Sequence, residues 1–129
     1  MNPFVHLNQQ FIAGTWRDGA TDRVLIDRNP YNDKPICELK LASRADLDQA
    51  YRAAASAQKL WAQVNPYERR AALEKAVAFV DSHEAEITDL IIEELGGTRL
   101  KAMFEIGLVR NIIKEAARSE ERRVGKECW

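Results

Sequence analysis

The chain has 129 residues, of which 46% are hydrophobic and 30% charged, and a formal net charge of -1. That length suits about one domain, one that could bury about two-thirds of its unfolded surface. The near-zero charge argues against nucleic acid as an obligate partner, because phosphate binding needs a basic face. No apolar run approaches the ~20 residues of a membrane span, so no membrane partner is expected. Met1–Gln10 has neither a basic n-region nor an apolar h-region and does not read as a signal peptide. The cysteines are Cys37 and Cys128, and Cys128 falls in an anomalous tail. A lone cysteine without a secretion signal points to a reducing cytoplasm and no disulfide framework.

Three strand-like runs come first. Phe11–Trp16 precedes Arg17-Asp18-Gly19, where Asp-Gly signals a turn. Arg23–Asp27, rich in β-branched residues, ends before Asn29-Pro30-Tyr31-Asn32-Asp33. Ile36–Leu41 places Cys37, Leu39 and Leu41 on one face and Glu38 and Lys40 on the other, which makes Cys37 a core residue of a half-buried strand.

Helices follow. Ser43-Arg44-Ala45-Asp46 resembles a capping box, with Asp46 also favoured at the positive end of the helix dipole. Leu47, Ala50, Tyr51, Ala54 and Trp61 recur on one face of the helix it opens. Asn65-Pro66-Tyr67-Glu68 starts a second helix, with proline at a position where no N–H is missed. Its stripe is Leu73, Ala76, Val77 and Val80. Asp81-Ser82-His83-Glu84 reads as a further cap, and Ile87, Leu90, Ile91 and Leu95 line the third helix, which Gly96-Gly97 ends. The last helix is expected over Arg99–Ala117. Met103, Phe104, Leu108 and Ile112 face one way and Ile106, Val109 and Ile113 another, a surface wide enough to imply burial between two layers. The fold class predicted from this order is α+β: N-terminal strands followed by three to four helices.

Local chemistry offers no catalytic, cofactor-binding or metal-binding residue. Cys37 has no base near it in sequence. His6 and His83 lack a second ligand at metal spacing and read as surface residues. Glu84, Glu86, Asp89, Glu93 and Glu94 read as a solvated helix face. Neither a G-x-G-x-x-G motif nor a P-loop lysine is present. Gly96-Gly97-Thr98 before a helix could offer N–H groups to an anion, but it reads first as a plain helix C-cap.

The order of segments carries more. An F-I-A-G-T-W-R-D-G strand is followed by a strand ending Asn29-Pro30-Tyr31 and by a third strand. An alanine-rich helix then reaches Trp61, and Asn65-Pro66-Tyr67-Glu68-Arg69-Arg70 follows. Together with Glu94-Leu95-Gly96-Gly97-Thr98, this succession resembles the N-terminus of the NAD(P)-dependent aldehyde dehydrogenase superfamily. Within it, the variant is similar to the bacterial branch that oxidises aromatic aldehydes such as benzaldehyde and vanillin. The resemblance covers about Phe11 to Ala117. It implies a parent with an α/β Rossmann-like fold, a small-molecule aldehyde substrate, NAD or NADP as cofactor and a homo-oligomeric assembly. In that family a cysteine thiolate attacks the carbonyl, hydride leaves to the nicotinamide, and a glutamate-activated water releases the acid. The family's cysteine element and NAD-contacting glycines have no counterpart here. Glu94-Leu95-Gly96-Gly97 imitates its general-base element, but that element lies much later in the family's chains. On this reading the chain is a truncated N-terminal piece, inactive and binding no cofactor by itself. The alternative is a small self-contained helical interaction module without enzymatic activity. Exposure of Phe104, Leu108 and Ile113 would favour the truncated piece.

Arg118–Cys128 matches, residue for residue, the translation of a common short-read sequencing adapter. The expected division is therefore 1–117, the N-terminal part of a cofactor-binding domain, and 118–129, an adapter-derived tail that is disordered or frays. Deleting Ser119–Trp129 is accordingly expected to leave thermal stability nearly unchanged.

Overall fold

The computed structural model describes residues 4–124. The chain divides between Gln63 and Val64 into two compact units.

The first unit contains two separate two-stranded antiparallel ladders and one helix. Strands β1 (Gln10–Ile12) and β2 (Thr15–Arg17) pair with Phe11 opposite Trp16. What reads in sequence as one strand is thus a hairpin. Its two-residue turn, Ala13-Gly14, has φ of 53° and 84°. Left-handed backbone at both central residues is what a two-residue connection between twisted strands requires. Phe11 and Trp16 rings lie 5.1 Å apart across the ladder, and His6 stacks on Trp16 at 4.8 Å. Strands β3 (Val24–Arg28) and β4 (Pro35–Lys40) form the second hairpin, with a register shift at Asp27/Arg28. Its loop is built from side-chain turns: Asn29 Oδ1 accepts from Tyr31 N–H and Asn32 Oδ1 from Lys34 N–H, while Asp33 takes a φ of 59°.

Helix α1 (Arg44–Trp61) opens on the expected capping box. Ser43 Oγ accepts from Asp46 N–H at 3.1 Å, and Asp46 Oδ2 accepts from Ser43 N–H at 2.8 Å. Its apolar stripe stays in the open, with Leu47 54%, Tyr51 71% and Trp61 47% exposed.

The second unit is a three-helix arrangement of α2 (Pro66–Ser82), α3 (Glu84–Leu95) and α4 (Arg99–Val124). Asn65 Oδ1 caps α2 by accepting from Tyr67 N–H, with Pro66 in the first turn. The expected cap around Asp81–Glu84 is a near-continuous junction: His83 alone separates α2 from α3, without a side-chain cap bond. Gly96 ends α3 in the left-handed conformation, at φ 61°. Helix α4 continues past the expected end at Ala117, to Val124. Glutamate and arginine are good helix formers, so helix here does not speak to the origin of the segment. Residues 125–129 lie outside the described residues.

The core is thin. In the first unit Ile12 is buried; in the second, Val77, Ala102, Ile106 and Ala117. The buried side of α4 is therefore its small-residue stripe. The large side chains expected inside are open, with Phe104 66%, Ile112 67% and Leu108 45% exposed, and Ile113 is half-buried. Two ion pairs bracket the packing of α2 on α4. Arg69 at the start of α2 meets Glu120, and Asp81 at its end meets Arg110. No helix among the described residues is long and apolar enough to cross a membrane.

Candidate functional site

The best-organised polar node of the first unit is Asp46. Its side chain is almost fully buried and gathers three segments distant in sequence. Oδ2 accepts from Ser43 N–H and from the Ser43 hydroxyl, and also from Ala20 N–H at 2.9 Å. Oδ1 meets Arg17 Nη2 at 2.7 Å. These donors, the Ser43 and Ala20 amides first, hold the Asp46 carboxyl well below the usual carboxylate range and outweigh the opposite effect of burial. A carboxylate kept ionised this firmly, by two backbone amides, a hydroxyl and a guanidinium of its own framework, is a clasp rather than an acid or base. Beside it, Gly19 is buried where a Cβ would overlap the Leu41 carbonyl.

The second unit has its own charged node. Arg110 donates from Nη2 to Glu84 Oε2 and is ion-paired through Nε with Asp81 Oδ1, each at 2.5 Å, and so joins α4 to the junction of α2 and α3. Glu84 first, then Asp81, raises the guanidinium's pKa against the contrary effect of burial.

The residues singled out in sequence are scattered. Cys37 is half-buried in β4, in register opposite Asp27. His6 is engaged by Gln9 Oε1 at 2.6 Å and by Trp16; His83 contacts the Phe79 carbonyl, the Phe79 ring and Ser82 Oγ. Glu94-Leu95-Gly96-Gly97 is the last turn of α3 and its cap. Thr98 Oγ1 accepts from Lys101 N–H at 3.3 Å, so the entry to α4 is capped from within the chain. Among the described residues no group of three or more His, Cys, Asp or Glu is placed to hold a metal ion. Cys37→Ala should cost on the order of 1 kcal/mol in urea unfolding. A loss above about 3 kcal/mol would place Cys37 in a tighter environment than this strand provides.

Sequence reasoning found the Ser43–Asp46 box but neither Arg17 nor Ala20 as partners, nor the Arg69–Glu120 and Arg110 pairs. Each joins residues far apart in the chain, and no local spacing announces them.

The wider relationships of the chain are clear. The family model described as "Aldehyde dehydrogenase family" matches residues 16–129. The chain is 53% identical over 126 residues to benzaldehyde dehydrogenase YfmT of Bacillus subtilis, covering 98% of this chain and 26% of that protein. It is 42% identical over 113 residues to a vanillin dehydrogenase of Corynebacterium glutamicum, covering 88% and 23%. Among solved structures it superposes on an NAD-dependent benzaldehyde dehydrogenase from Corynebacterium glutamicum with a TM-score of 0.87 at 43% identity, covering 89% of this chain and 25% of that one. The chain thus spans about a quarter of the length of the curated relatives it matches.

Proposed function

The chain belongs to the aldehyde dehydrogenase family, and from that membership we propose that it is the N-terminal portion of an enzyme oxidising an aldehyde, aromatic in class, to a carboxylic acid with NAD or NADP. The observation that carries the reading is the 53% identity to a benzaldehyde dehydrogenase across nearly the whole chain. The exposed apolar faces of α1 and α4 support it over a self-contained helical interaction module. Phe104, Ile112, Tyr51 and Leu60 together offer far more open apolar surface than isolated surface residues do.

The residues present do not by themselves fit a dinucleotide. At the glycine-rich entry to α4 Thr98 Oγ1 already accepts from Lys101 N–H, and Cys37 is half-buried in β4 opposite Asp27. The chain's own contribution is framework: two clasped hairpins, and helices whose open faces fit the remainder of a larger fold. On this reading the nucleophile, the base and the cofactor glycines belong to the rest of the parent, which is a cytoplasmic homo-oligomer with neither nucleic-acid nor membrane partners. The chain alone neither turns over aldehyde nor binds NAD. Residues 118–129 are adapter-derived.

A chimera tests this. Residues 1–117 replace the matching segment of the Bacillus subtilis relative, and benzaldehyde-dependent NADH formation is followed. The chimera should keep kcat/KM within about tenfold of the parent. A chimera that folds and assembles but is inactive would overturn the reading. So would calorimetric binding of NAD to the isolated chain.

A further inference from the structure

Arg69 is 8% exposed, an unusual placement for a charge that no protein environment neutralises. It stands in the first turns of α2, and all three of its nitrogens donate. Nη1 reaches the Val64 carbonyl at 2.7 Å; Nε and Nη2 reach Glu120 Oε2 at 2.8 and 2.5 Å. Burying a guanidinium without an anion is strongly unfavourable, so the packing that covers Arg69 demands a negative charge at this corner. A cleft of about 250 Å³ between α2 and α4 is lined nearby by Arg70, Glu74, Val77, Lys114, Ala117 and Arg118, with Arg70 paired to Glu74 and Arg118 to Glu115. Glu120, the residue that answers Arg69, lies within the stretch that matches the adapter translation.

We propose that the corner where α2 begins and α4 ends is a carboxylate-binding seat organised by Arg69, occupied in this chain by Glu120 and open to a small free carboxylate when Glu120 is lost. The seat does not depend on aldehyde oxidation. It explains why residues 118–124 continue α4: the buried cation captures whichever acidic side chain the following segment presents. It also reverses the expectation that deleting Ser119–Trp129 is silent, because the deletion strips Arg69 of its anion.

The test uses the full chain carrying Glu120→Ala, melted by circular dichroism in sodium acetate and in sodium chloride at matched ionic strength. Glu120→Ala should melt several degrees below the unsubstituted chain in chloride. Acetate should restore a few degrees at about ten times its dissociation constant. The double variant Glu120→Ala/Arg69→Gln should show no difference between the two salts. If Glu120→Ala does not fold in chloride, recovery of helix on adding acetate reads the same seat, and Glu120→Gln, which preserves side-chain length, gives the melt. An Glu120→Ala chain that melts with the unsubstituted one, or an acetate effect that persists without Arg69, would overturn the proposal.

Discussion

Asp46→Asn should lower the melting temperature at neutral pH on the order of 10 °C, with the loss concentrated in the first unit. The substitution keeps the shape of the side chain but removes the charge that Arg17 faces. It also leaves one acceptor oxygen where Arg17 uses Oδ1 and Ser43 and Ala20 use Oδ2. Those donors are drawn from the segment after β2, from the start of α1 and from β2 itself, so one substitution loosens all three. The sign of the pH dependence follows from the depressed carboxyl. Its contribution is fully present above the unfolded value of about 3.9 and is lost as pH falls below that toward the lower folded value. The unsubstituted chain should therefore lose stability between about pH 4 and pH 2, and Asp46→Asn should lose much less over the same interval. Circular-dichroism melts of both chains across that range decide it; parallel pH profiles would remove Asp46 from the role of clasp.

Gly19→Ala should be nearly as damaging, for a different reason. The added methyl would overlap the carbonyl carbon and oxygen of Leu41 and crowd the Lys40 carbonyl, all backbone atoms. The Leu41 carbonyl is not free to retreat, since it accepts from the Thr21 hydroxyl at 2.7 Å and from Thr21 N–H. Overpacking against fixed backbone costs about 3 kcal/mol or more, a large share of the ~5–15 kcal/mol that holds an ordinary domain. Urea unfolding reads the loss directly. An alanine variant within about 0.5 kcal/mol of the parent would show that the approach of the two segments is looser than described.

Much of the fold was legible in sequence because its signals are local. Ser43 with Asp46, Asn65 with Pro66, and Gly96 after Leu95 each place a helix end through bonds made within a few residues, and each end lies where the chain announces it. The hairpin at Ala13-Gly14 was not legible, because alanine rarely takes a left-handed conformation and nothing marks it as a turn residue. Gly19 reads as a turn signal, yet what requires glycine there is the nearness of Leu41, a contact across the unit. Which side of α4 packs within its own unit was not legible for a related reason. Hydrophobicity selects Phe104 and Leu108, whereas close approach of helices selects Ala102 and Ala117 with Ile106 between them. Cys37, His6 and His83 are apart in sequence and are engaged by different neighbours in the structure.

The openness of the aromatic residues decides how unfolding of this chain can be watched. Trp16 and Trp61 are 46% and 47% exposed in the folded state. Indoles already half in water change their surroundings little when the chain opens. In a Trp129→Phe background, emission would shift only slightly through a transition that dissolves four helices. The stacked imidazole of His6 adds a quenching signal at Trp16 that reports the local hairpin rather than the chain as a whole. Far-ultraviolet ellipticity, dominated by α1 to α4, is the observable that follows the backbone, and a flat fluorescence trace from this protein is no sign that it never folded.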